Sequence, residues 1–152
     1  MQTKNPLENL KSVDLSHLSK AEAKEFTLLL EELEKREKRE SSMASFYDFV
    51  KTIWPEFIAG AHHKKMAEAF DKIANGESKR LIINMPPRHT KSEFASYLFP
   101  AYLLGKRPKL KIIEATHTAD LAINFGRRVR DLIESDDYAE IFPSTQLKAD
   151  SR

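Results

Sequence analysis

The sequence predicts an α/β fold, a parallel sheet carrying helices. Three observations lead there. Two short apolar runs, Leu81-Ile82-Ile83 and Lys111-Ile112-Ile113, are each followed by a turn and then by a helical pattern. Helical patterns also precede both runs, and strands alternating with helices imply βα units and a parallel sheet. The first run leads through a proline turn into Lys91-Ser92, where another helical pattern begins, the layout of a phosphate-binding loop.

The elements follow in order. Residues 1–15 are polar, contain Pro6 and read as a loose arm. Ser19-Lys20-Ala21-Glu22 is a capping-box pattern. The helix it starts extends to about Arg39, with Ala23, Phe26, Leu29, Leu30 and Leu33 on one face. Its end, residues 31–40, mixes charges at i,i+3 and i,i+4 spacing, which suits a solvated face or a partner helix. Ser41-Ser42 reads as a break. It divides the chain into residues 1–43, an arm and a charged helix, and residues 44–152, the α/β part.

A second helix, Ser45 to Ile53, presents Phe46, Phe49, Val50 and Ile53 and is ended by Pro55. A third, His62 to about Ala74, presents Met66, Ala69, Phe70 and Ile73 and closes on Asn75-Gly76. The first strand is expected at 80–84 and the loop at 85–90. A helix from 91 to about 104 should kink at Pro100 and stop at Gly105. The second strand is expected over Lys111–Ala115. Thr118 then caps a helix to about Glu134 with Leu121, Ala122, Phe125, Val129 and Leu132 inward. A turn or short helix over 136–142 is stopped by Pro143.

Composition excludes several classes. There are no cysteines, so there is no disulfide framework and no thiolate metal site. No apolar run approaches the roughly 20 residues a membrane span needs, and no secretory signal is evident. A net charge of +2 does not by itself indicate nucleic-acid binding. A cytosolic protein fits these features.

Residues 85–92 carry the chemistry. In a phosphate loop, backbone N–H groups and the positive helix end wrap a polyphosphate. Lys91 would reach the outer phosphates and the Ser92 hydroxyl would bind Mg²⁺. The usual pattern, G-x-x-x-x-G-K-[ST], has glycines where this chain has Met85 and Thr90. Thr90 is β-branched, so a positive φ there is costly. Either the loop is built differently or Thr90 is strained. On spacing alone, a buried strand, a turn and a helix with an incidental Lys-Ser pair fits equally well.

The segment Ile82-Ile83-Asn84-Met85-Pro86-Pro87-Arg88-His89-Thr90-Lys91-Ser92-Glu93 resembles the deviant Walker A loop of tailed-phage terminase large subunits, the ATP-driven motors of viral DNA packaging. Trp54-Pro55-Glu56-Phe57 and His62-His63 upstream, and Glu114-Ala115-Thr116-His117 with Phe125-Gly126-Arg127-Arg128-Val129-Arg130 downstream, extend the likeness over residues 44–152. The resemblance implies an incomplete P-loop NTPase of the ASCE, RecA-like class, ending before its acidic Walker B motif. It implies ATP and Mg²⁺ as ligands, with Pro87, Arg88, His89, Thr90, Lys91 and Ser92 around the phosphates. Arg88 would contact or sense the γ-phosphate, or be only an exposed loop arginine. His89 would hold the loop. Trp54 and His63 would face the adenine, although Trp54 and Phe57 read more readily as core residues.

Arg127, Arg128 and Arg130 would contact double-stranded DNA through its phosphates, or lie on a solvated helix side. Adjacent His62 and His63 diverge by about 100° on a helix, so they do not suggest a metal site. The implied partners are DNA, a portal protein, a small terminase subunit and further copies in a ring, in the host-cell cytoplasm. Without the acidic motif, hydrolysis by this chain alone is not expected. In that ATPase class later strands separate the two strands present here, so exposed apolar faces and weak stability are expected. The alternatives are a fragment of a helicase-like P-loop ATPase and a non-enzymatic module that docks on partner subunits.

Overall fold

A computed structural model describes residue 17 and residues 19–148 of the chain. The arm over 1–15 and the last four residues lie outside the described residues. The described chain is helical: α1 Lys20–Ala44, α2 Phe46–Ile53, α3 Ala61–Ala74, a π-helix Glu93–Leu98, α4 Phe99–Lys106, α5 Ala119–Ile133 and α6 Asp136–Ile141. It divides into two compact units, Met1–Glu40 and Ser41–Arg152.

The parallel α/β sheet expected of the P-loop class is not formed. Among the described residues there is no strand and no bridge. Residues 80–84 and 111–115 carry no regular secondary structure, and neither forms a bridge with the other or with another segment. Ile82 is 85% exposed and Ile113 94% exposed. The physical reason is that a strand cannot satisfy its N–H and C=O groups by itself. Two short runs that do not pair leave the inter-strand ladder unmade, although Ile83 still packs against the core.

The helices form where local signals place them. Ser45 caps α2 by accepting a hydrogen bond from Asp48 N–H at 3.4 Å, and Thr118 caps α5 in the same way toward Leu121 N–H at 3.4 Å. Gly76 ends the α3 region at φ +80°, a conformation open to glycine. Ser19 and Glu22 exchange the capping-box bonds of α1, Ser19 N–H donating to the carboxylate at 2.8 Å.

Two expectations about breaks need correction. Ser41-Ser42 does not interrupt α1, because Ser42 is buried and its hydroxyl shares a hydrogen bond with Thr52 Oγ1 at 2.8 Å. Gly105 does not stop its helix either; it lies within α4, and a Cβ there would run into the Phe142 ring. Around Pro100, where a kink is expected, the helix changes form. The turn before it widens to π geometry, with Phe99 N–H donating to the Phe94 carbonyl, and Pro100 enters the first turn of α4. Proline lacks an N–H and its ring crowds the carbonyl four residues back, so a widened turn relieves both demands.

The core of the Ser41–Arg152 unit is aromatic. The Phe46 ring lies 5.2–5.5 Å from those of Phe70, Phe94, Phe99 and Tyr102, mostly edge to face. Asp71 ties this core to the backbone. Its carboxylate accepts from Phe46 N–H at 2.9 Å and from the Tyr102 hydroxyl at 3.4 Å. Burial raises the pKa of Asp71, and these hydrogen bonds oppose that shift. Tyr138 reaches across to the Ala101 carbonyl at 2.8 Å. No helix of the described residues is long and apolar enough to cross a membrane.

Candidate functional site

The loop begins at Met85 and enters the helical stretch at Lys91. Two of its residues, Arg88 at φ +63° and Thr90 at φ +55°, adopt the left-handed conformation. No other non-glycine residue of the described chain does so. For a β-branched residue such as Thr90 this is a true outlier. Of the two constructions the sequence left open, the structure takes the strained one.

Lys91 folds over the loop. Its Nζ donates to the Met85 carbonyl at 3.2 Å and lies 3.4 Å from the Pro86 carbonyl. The ammonium is thus placed on the loop itself, held by two neutral carbonyls. Ser92 is exposed beside it, and the Thr90 carbonyl accepts the first helical bond, from Phe94 N–H at 2.9 Å. The N–H groups of a first helical turn have no acceptor within the helix, so this end can face an anion.

Two histidines lie beside the loop and a third, His89, within it. The ring centroids of His62 and His63 are 3.8 Å apart, and those of His62 and His89 5.6 Å. His89 bonds through Nδ1 to the Pro87 carbonyl at 2.9 Å. A carbonyl only accepts, so Nδ1 carries the proton, and His89 bonds back across the turn to Pro87. His63 is 6% exposed and has both ring nitrogens engaged. Gly60 N–H donates to its Nδ1 at 2.9 Å, and its Nε2 lies 2.6 Å from Thr90 Oγ1. Burial holds the His63 pKa below the ordinary range, with the neighbouring His62 and His89 adding to the shift.

The aromatic pair upstream packs beside this group. Trp54 and Phe57 stand 5.3 Å apart, and Phe57 meets the His63 ring at 4.7 Å and Phe94 at 5.5 Å. Trp54 is half-buried against the core. The loop, His63 and the aromatic pair are therefore brought together, although they come from stretches some 30 residues apart in sequence.

The arginines of α5 separate into different roles. Arg128 makes a two-point ion pair with Glu93, at 3.0 and 2.5 Å, and its guanidinium lies 4.2 Å from the Tyr97 ring centroid. The Glu93 hydrogen bond raises the pKa of Arg128 further. Arg130 makes a long contact of 4.0 Å with Asp131, and Arg127 is exposed. The Glu93–Arg128 link was not foreseen from the sequence. The only available signal was the carboxylate directly after Lys91-Ser92, and nothing in one dimension pairs it with a residue 35 positions on.

Among the described residues no group of three or more His, Cys, Asp or Glu side chains could hold a metal ion. Mg²⁺ delivered with a nucleotide needs no such group, because phosphates and water supply most of its ligands. Ser92 is the hydroxyl available to it at this helix start. Comparison with protein-family models, curated proteins and solved structures gives no match.

Proposed function

We propose that residues 85–92 bind the phosphates of a nucleoside triphosphate, with ATP accompanied by Mg²⁺ as the ligand. The observation that carries this reading is the pair of left-handed non-glycine residues, Arg88 and Thr90, immediately before Lys91. Strain of this kind costs roughly 1–3 kcal/mol per residue and is retained mainly where a site requires it. Alternating left-handed residues turn successive N–H groups toward one side, which makes a concavity for anions. Lys91 supplies the point charge, Ser92 the hydroxyl for Mg²⁺ and Arg88 a second, exposed cation.

The wider role rests on the resemblance to terminase large subunits in these residues and their flanks. In that role the site would serve a motor that moves double-stranded DNA with portal and small-subunit partners. Arg127 and Arg130 are the α5 arginines suited to DNA phosphates, since Arg128 is bound to Glu93. A second reading, a docking module without its own chemistry, is favoured by the exposed Leu28, Leu29 and Leu33 of α1.

Calorimetry of the full chain with Mg-ATP, beside its Lys91→Ala variant, tests the proposal. Saturable binding weakened at least tenfold by the substitution is expected. A folded chain that does not bind, or a variant that binds equally well, would remove Lys91 and the loop from the site.

A further inference from the structure

We infer that His63 is a positioning residue, a latch that holds Thr90 in the left-handed conformation and thereby sets the shape of the 85–92 loop. This deepens the phosphate-binding reading and rests on it for its functional consequence. The latch itself rests on geometry alone.

Protonation follows from the partners. The Gly60 amide can only donate, so the Nδ1 that it meets at 2.9 Å must offer a lone pair. A neutral ring then carries its proton on Nε2, which donates to Thr90 Oγ1 at 2.6 Å. A relay therefore runs from the backbone before α3, through the imidazole, to a hydroxyl in the loop. The ring cannot easily turn away. It lies against Phe57, Phe94 and His62, with centroid distances of 4.7, 5.5 and 3.8 Å.

Thr90 is held at both ends. Its carbonyl accepts from Phe94 N–H at 2.9 Å, and its side chain is held by His63. In a free peptide a threonine would leave φ +55° for the right-handed or extended region, by roughly tenfold or more in population. Rotation about that bond would swing Arg88 and His89 relative to Lys91. The latch therefore acts on the relative placement of the loop cations. With both nitrogens used in this way, His63 acts on a nucleotide through Thr90, as a positioning residue.

The test is a double-mutant cycle. Mg-ATP affinity is measured for the full chain, His63→Ala, Thr90→Gly and the double variant. Glycine adopts positive φ freely, so it has no need of a latch. His63→Ala should weaken binding about tenfold when Thr90 is present and less than twofold in the Thr90→Gly background. Equal losses in both backgrounds, or no loss in either, would overturn the proposal. His63→Gln, whose amide can reach the same hydroxyl, should recover part of the loss; no recovery counts against it. Thermal unfolding of the same four proteins measures the latch without nucleotide, with a larger Tm loss from His63→Ala in the Thr90 background expected. Imidazole ¹⁵N shifts should place the His63 proton on Nε2, and a proton on Nδ1 would overturn the relay. If Mg-ATP does not bind at all, the phosphate reading fails, while Tm coupling and tautomer still decide the latch.

Discussion

The aromatic core and the two unpaired apolar segments, residues 80–84 and 111–115, meet different fates. Phe46, Phe49, Phe94 and Tyr102 are fully buried, whereas Ile82 and Ile113 stand almost wholly in solvent. The difference lies in the backbone. A helix closes its own hydrogen bonds and needs neighbours only for one face. An extended run needs a partner strand for its N–H and C=O groups before its side chains can be buried. Apolar residues therefore become core in one place and exposed surface in the other.

The largest test of that contrast is a pair of substitutions read by urea unfolding. Phe46→Ala removes a ring with four aromatic neighbours within 5.5 Å and should cost about 3–5 kcal/mol. Ile113→Ser, at a side chain 94% exposed, should change stability by no more than about 0.5 kcal/mol. A large loss at Ile113 would mean that the unpaired segment is buried in solution, and the distinction between the two regions would collapse.

A smaller effect probes how tightly the helical side is packed. Gly105 lies in α4 where the Phe142 ring occupies the space a Cβ would need. Gly105→Ala should therefore destabilise by about 1–3 kcal/mol through overpacking, even though alanine is the better helix former by about 1 kcal/mol. A stabilised variant would show that Phe142 moves aside readily and that this end of the core is loose.

The helices were legible because their signals are local. Ser45, Thr118, Asn75-Gly76 and the spacing of Phe46, Phe49 and Val50 each act within a few residues, and the boundaries fall where those residues stand. Ser42 and Gly105 were misread as breaks because their reasons are distant in sequence, Thr52 for one and Phe142 for the other. The sheet failed for the same cause on a larger scale. Leu81-Ile82-Ile83 announces an apolar run, but no residue in it announces a partner. At the loop, the sequence posed the alternative correctly, a strained Thr90 or a different construction, and could not see the His63 bond that accompanies the strain.

His63 joins the aromatic core to the loop, since its ring packs with the aromatic residues and its Nε2 holds Thr90. The smallest expected effect is therefore a pH dependence confined to that junction. The His63 pKa is lowered in the fold, by burial first and then by His62 and His89, so the unfolded chain binds the proton more readily. Stability linked to this group should be complete above about pH 6.5, the ordinary histidine value, and should fall as the pH drops through the depressed folded value. Protonation also fills the lone pair that accepts from Gly60, which removes one of the two bonds of the relay. Melting temperatures between pH 7.5 and 5 (on the order of the histidine range) should decline more for the full chain than for His63→Gln. Equal slopes would place the titrating group elsewhere. They would also leave the loop energetically separate from the core beside it.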